Sequence, residues 1–177
     1  MGGALVWGAC MIGTVWRLSE PMDWTGNQSQ RTWNDDWTSS PGRIEQIRYE
    51  QKQVECLAQN VYHEARGEEK QGKIAVAAVT MNRVHHRAWG RDVCSVVWED
   101  SAFSWTLDRS LWDIKETKSY AQAVDVARAV YYGVEADPTG GATHYHTINV
   151  NPYWSASGVE KMRIGAHIFM KMRSGGR

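Results

Sequence analysis

RIEQIRYEQKQVECLAQNVYHEARG, residues 43–67, is the stretch that sets the architecture. Ile44, Ile47, Val54, Leu57, Ala58, Val61, Tyr62 and Ala65 recur at helical spacing, and Gly67 stands where a C-capping glycine would end the run. With Leu57 at zero and ~100° per residue, the neighbouring apolar side chains fall between about 0° and 140°. Glu64 falls at about −20°, just outside that arc. A carboxylate there sits at the lip of a core. Desolvation raises a carboxyl pKa, which a general acid working near neutral pH requires. Spacing alone favours a plainer role, a rim glutamate in a salt bridge with Arg66 or Arg83.

Working outward, Ile74 to Val84 (IAVAAVTMNRV) follows a turn at Gly72 and is apolar nearly all round, as a buried central helix is. Val93 to Trp98 fits a short helix or a strand. Ser119 to Val134 reads as a helix stopped near Gly133 and Pro138. Thr143 to Val150 (THYHTINV) is β-branched, aromatic and alternating, which predicts a strand or hairpin arm. Val159 to Met172 reads as a last amphipathic helix. Together these predict an α+β, mostly helical domain with a small β-hairpin, spanning residues 43–177.

Before it, residues 19–42 are polar and irregular and read as a linker punctuated by Ser39-Ser40-Pro41-Gly42. Residues 1–18 are weakly hydrophobic. The uncharged run from Gly2 to Trp16 would reach roughly 22 Å as a helix, short of a ~30 Å hydrocarbon core. It lacks the positive n-region of a cleaved signal. A weak membrane anchor or export signal, a packed helix and a misassigned start all fit it.

Across all 177 residues, 20 basic side chains balance 20 acidic ones, so no global field points to nucleic acid. Ten tryptophans against two phenylalanines is an unusual ratio. Such rings fill cores, and they also offer flat faces to sugar rings. Cys10, Cys56 and Cys94 have no CxxC spacing, and the sequence does not choose a disulfide among them. Cys56, beside the apolar stripe, and Cys94, between valines, both read as core.

The wider series decides more than any one spacing. Tyr62-His63-Glu64-Ala65-Arg66-Gly67-Glu68 is followed by Gly72, Ala75 to Val79 and Asn82-Arg83-Val84. Then come Val93 to Val97, Phe103-Ser104-Trp105, Asp137 to Tyr145 (DPTGGATHY) and Ile164 to Phe169 (IGAHIF). From about Cys56 to Met170 this order resembles the SleB-type cell-wall hydrolase family, known from spore-cortex lytic enzymes and bacteriophage lysis proteins. The resemblance implies a lysozyme-like, lytic-transglycosylase-like domain that cuts the MurNAc–GlcNAc bond of peptidoglycan. It also implies that Glu64 is the acid. The sequence departs from the pattern at Ala102, where the family often has Gln, and at His146 after Tyr145.

That chemistry accounts for a single carboxylate. Ordinary glycosidases use two, whereas a lytic transglycosylase protonates the leaving oxygen with one acid and lets the muramic acid C6 hydroxyl attack. No cofactor is implied, and a monomer in the cell envelope or periplasm is expected. Phe103, Ser104, Trp105, Thr143, His144, Tyr145 and Trp154 are the candidate groove walls. On a strand Thr143 and Tyr145 share one face, and His144 and His146 the other. Glu68 is the secondary candidate, with Glu99, Asp100 and Asp108, for the partner carboxylate of a hydrolytic muramidase; its plainer role is accepting backbone hydrogen bonds at the turn. A zinc amidase or peptidase of the peptide stem would draw on His144, His146 and His167 or His85, although His63-Glu64 lacks the second histidine of H-E-x-x-H. A cysteine peptidase needs an activated thiol at Cys56 or Cys94. A non-enzymatic wall-binding protein would not need an acid embedded at the edge of a core.

Overall fold

The computed structural model describes residues 40–86 and 88–172. Its elements are helix α1 (Pro41–Ala65), α2 (Lys70–His85), the short α3 (Val93–Val97), α4 (Thr117–Tyr131) and strands β1 (His144–Thr147), β2 (Gly158–Ile164) and β3 (His167–Met172). Single 3-10 turns lie at Ser104–Leu107, Arg109–Leu111 and Tyr153–Ser157. The run from residue 2 to residue 16, Cys10 and most of the predicted linker lie outside the described residues.

Helix α1 opens two residues earlier than the apolar pattern, with Pro41 in the first turn, where its missing N–H removes no helical bond. It therefore takes in the last two residues of the predicted linker. It ends at Ala65 with Arg66 as C-cap, and Gly67 does not adopt the left-handed conformation expected of a C-capping glycine. The left-handed cap occurs instead after α4, at Gly133 (φ 71°).

Four helices enclose the main core. Leu57, Ala58, Val61 and Tyr62 of α1 pack with Ile74 and Ala77 of α2, Val93, Val96 and Val97 of α3, and Ala123, Val126 and Ala127 of α4. Tyr62 is fully buried, and its hydroxyl accepts hydrogen bonds from the N–H groups of Lys115 and Glu116 at 3.2 and 3.1 Å. The start of α4 is thereby pinned to α1. The α2 run is buried from Gly72 to Thr80, as its nearly uniform apolarity predicts.

The C-terminal segment corrects an expectation. Val159 to Met172 is not a helix; it forms β2 and β3 around a turn at Gly165, whose φ of 59° is left-handed. Apolar side chains at Ile164, Ile168, Phe169 and Met172 mimic helical spacing over this short run. Periodicity alone does not separate the two states there. Pairing remote in sequence decides: β3 is the middle strand of an antiparallel sheet of order β1-β3-β2, with Tyr145 opposite Phe169. The expected hairpin is thus a three-stranded sheet. Phe169 seats it on α2 in a cluster with Val76 and Val79 of that helix and Ala142 of the loop before β1.

Cys56 and Cys94 are not two free core thiols. They form a disulfide that ties α1 to α3 across 38 residues. Closing a loop of that size removes denatured-state entropy equivalent to roughly 4 kcal/mol. Thermal unfolding of Cys56→Ser/Cys94→Ser, against the oxidised protein, is expected to show a loss of about 2–4 kcal/mol. Identical midpoints would mean that the bond does not constrain the chain.

Candidate active site

The last turn of α1 carries Glu64 out of the core at the rim of a cleft of ≈ 370 Å³. The salt bridge that spacing alone would favour is not made. Arg66 pairs with Glu116 at 3.6 Å, and Arg83 points its Nε at the carbonyl of Thr143 at 2.8 Å. Tyr145 is the partner, its hydroxyl donating to Glu64 Oε2 at 3.0 Å. Burial raises the Glu64 pKa above the ordinary carboxylate value; the Tyr145 hydrogen bond and the positive Arg83 oppose it. Burial wins. Tyr145 responds in kind, its own pKa held well above the phenol value by burial and by the adjacent Glu64.

Arg83 also lines the cleft. It is buried between the rings of Trp89, 4.3 Å from its charge centre, and Phe103, 4.9 Å from it. Its neighbour Asn82 donates to the Ala142 carbonyl at 2.9 Å and to Asp137 at 3.0 Å. Asp137 in turn accepts from the N–H groups of Thr139 and Gly141 and from the Thr139 hydroxyl. Asn82 and Arg83 thereby carry the strand of Tyr145 on the end of α2.

Six of the predicted residues line the cleft: Glu64, Phe103, Ser104, His144, Tyr145 and Trp154. His144 lies edge-on to Trp89 at 5.7 Å and beside Trp154 at 5.5 Å, and burial with Arg83 and His86 nearby takes its pKa down to about 4. At neutral pH its ring is uncharged.

Two predicted walls are not walls. Trp105 is buried: its Nε1 donates to Asn60 Oδ1 at 2.9 Å, and its ring stacks on His63 at 4.4 Å. Asn60 completes the link to Thr80 of α2 at 3.1 Å, so the indole is a core strut. Thr143 contributes the carbonyl that holds Arg83, and its hydroxyl meets His144 Nδ1 at 3.0 Å.

The cleft also contains Arg83, Trp89, Asp100, Ser101, Ala102 and Tyr153, none predicted as a wall. Trp89 and Tyr153 had a signal, as aromatics next to Gly90 and beside the predicted Trp154. Ser101 had none; it is an exposed lining residue whose φ of 63° is left-handed, a strained conformation for a non-glycine residue.

Among the four carboxylates weighed as a second acid or base, Asp100 alone reaches the cleft. Glu68 faces His167 and the N–H of Ala166, and Asp108 caps the turn at Ser110. The zinc arrangement is not assembled either. His167 turns to Glu68 while His144 and His146 pack on Trp154, and among the described residues no three His, Cys, Asp or Glu side chains converge. The half-cystine state of Cys56 and Cys94 removes both thiol nucleophiles.

Comparison with known proteins bears on the family and the fold. A family model described as Cell Wall Hydrolase matches residues 67–170. The chain belongs to the cell wall hydrolase family. Within it, the chain is 33% identical over 122 residues to a spore cortex-lytic enzyme of Halalkalibacterium halodurans, covering 68% of this chain and 35% of that protein. It is 33% identical over 128 residues to the one of Oceanobacillus iheyensis, covering 70% and 43%. This chain thus spans less than half the length of these curated relatives. Among solved structures, the catalytic domain of the Bacillus cereus SleB protein matches with a TM-score of 0.55 and 30% identity, over 68% of this chain and 91% of that one. The catalytic domain of the germination-specific lytic transglycosylase SleB from Bacillus anthracis matches with a TM-score of 0.56 and 30% identity, over 68% and 95%. The expected lysozyme-like α+β domain is the fold of this cell wall hydrolase. Its family model begins at Gly67, three residues after Glu64.

A carboxyl whose pKa is raised on folding stabilises the fold below its unfolded pKa, and that contribution is lost as pH rises through the folded value. Glu64→Gln, neutral at every pH, is therefore expected to match the wild type near pH 4 and to melt higher than it at pH 8. Thermal unfolding at the two pH values checks this; a variant that loses stability relative to wild type at pH 8 would show a carboxylate favoured by its surroundings.

Proposed function

We propose that this chain cleaves glycan strands of peptidoglycan at the MurNAc–GlcNAc β-1,4 bond as a lytic transglycosylase, with Glu64 as its single acid and base. One observation carries the reading: a carboxyl with a burial-raised pKa faces an open cleft and is held there by a tyrosine hydroxyl. The relatives support the substrate class, being spore cortex-lytic enzymes, and one matching domain is that of a lytic transglycosylase.

In the proposed reaction Glu64 gives its proton to the glycosidic oxygen as the bond from the muramic acid C1 breaks. Positive charge develops on C1 and the ring oxygen. The C6 hydroxyl of the same sugar attacks C1 and closes a 1,6-anhydro ring, and the Glu64 carboxylate takes the hydroxyl proton. The acid is restored, with no water consumed. A partly desolvated carboxyl suits both halves, because it holds a proton near neutral pH and then accepts one readily. Trp154, Tyr153 and Trp89 offer the ring faces on which sugars would lie.

The hydrolytic reading has one supporting observation, Asp100 on the same cleft. It would act on a water molecule opposite Glu64. The disulfide supports a location outside the reducing cytoplasm, as action on a cell wall demands.

Digestion of purified sacculi tests both readings, with the released muropeptides weighed. The wild type is expected to release 1,6-anhydro ends, and Glu64→Gln, confirmed as folded, to lose roughly 10²–10⁴-fold in rate. Reducing ends, abolished by Asp100→Asn, would replace the transglycosylase by the hydrolase. Full release by Glu64→Gln would remove Glu64 from the chemistry.

A further inference from the structure

Glu68, four residues beyond Glu64, is turned away from the cleft and nearly enclosed, with 13% of its side chain exposed. A carboxylate is costly to bury unless charges or N–H groups meet it. Both of its oxygens lie 3.3 Å from the N–H of Ala166, and Oε1 is 3.4 Å from Nδ1 of His167, a close contact without hydrogen-bond geometry to a side chain 6% exposed. Two glycines make the space. A Cβ on Gly72 would sit 2.8 Å from Glu68 Cβ, and one on Gly165 would overlap its Oε2. The Lys73 ammonium donates to the Glu68 carbonyl, which fixes the backbone of the turn.

The far side of His167 meets Tyr145 edge-on, with ring centroids 5.3 Å apart, and Tyr145 Oη is the group that holds Glu64. The contacts close a ring: Glu68 to His167, His167 to Tyr145, Tyr145 to Glu64, and back along four residues of chain. Its members come from the end of α1, the α1–α2 turn, β3 and β1. We propose that Glu68 and His167 are a positioning pair, which sets the Tyr145 ring and through its hydroxyl the orientation of the Glu64 carboxyl. This rests on Glu64 being the acid. The ionisable groups facing His167 are Glu68 from the turn and Tyr145 and His146 from β1.

The consequence is energetic coupling between Glu68 and Tyr145, two residues that do not share a hydrogen bond. Muropeptide release from sacculi by wild type, Glu68→Gln, Tyr145→Phe and the double variant measures it. Each single change is expected to slow release roughly tenfold to a hundredfold through loss of orientation. The double variant should be little slower than the worse single one, because both break the same link. The alkaline limb of the pH–rate profile should move upward in both single variants, since the Tyr145 hydrogen bond lowers the Glu64 pKa. A purely structural role for Glu68 would leave that limb in place.

Should Glu68→Gln not fold, His167→Gln replaces it in the cycle and carries the same expectation. Multiplying rate losses, an unmoved limb, or full activity of Glu68→Gln would overturn the pair. Loss of release in Glu64→Gln alongside any of those outcomes leaves the acid standing and removes only the positioning pair. Release retained by Glu64→Gln would remove the acid itself.

Discussion

The hydrogen bond from Tyr145 to Glu64 joins the helical half of the domain to its sheet, and the site depends on how that bond is held. Its two ends lie 81 residues apart in the chain. Neither α1 nor β1 sets the distance alone. Arg83 anchors β1 at the Thr143 carbonyl, Asn82 anchors the preceding loop at Ala142, and Phe169 seats β3 against α2. On the helical side, Tyr62 clamps α4 and the disulfide clamps α3. These buried anchors leave the last turn of α1 little freedom beyond presenting Glu64 to the cleft.

The electrostatics of the site follow from where Arg83 spends its hydrogen bonds. A guanidinium facing Glu64 directly would form a strong charge-assisted pair and pull the carboxyl pKa down. Here the guanidinium is turned to backbone carbonyls and enclosed by Trp89 and Phe103. It stabilises the ionised Glu64 only at a distance, so desolvation outweighs it. The same positive charge helps to keep His144 neutral. One buried cation thus supports the strand mechanically and leaves Glu64 its proton.

Much of this was legible in the residues. The angular position of Glu64 beside Leu57 foretold a carboxyl half in and half out of the core, and the uniform apolarity of Ile74 to Val84 foretold a buried α2. The alternation of residues 143–150 foretold β1, although the strand itself covers only His144–Thr147. What was missed depends on contacts remote in sequence. Over Val159 to Met172 the apolar spacing suits a helix as well as a strand, and only pairing with β1 settles it. Trp105 carries no local mark that separates a groove wall from a core strut; Asn60, 45 residues away, makes it the latter. Cys56 and Cys94 lacked a spacing signal because their approach is created by packing α3 on α1. Arg83 was read as a salt-bridge partner for Glu64, but its hydrogen-bond partners are carbonyls, which no side-chain pattern reveals.

The account turns on Glu64 keeping its proton above the pH at which an ordinary carboxyl loses it, while Tyr145 limits how far that shift goes. Carbon-13 NMR titration of the side-chain carboxyls, with Glu64 assigned by comparison with Glu64→Gln, measures this directly. The predicted result is a Glu64 pKa above the solvent-exposed glutamates of the same protein, moving higher still in Tyr145→Phe. A Glu64 that titrates with or below the exposed glutamates would contradict the account.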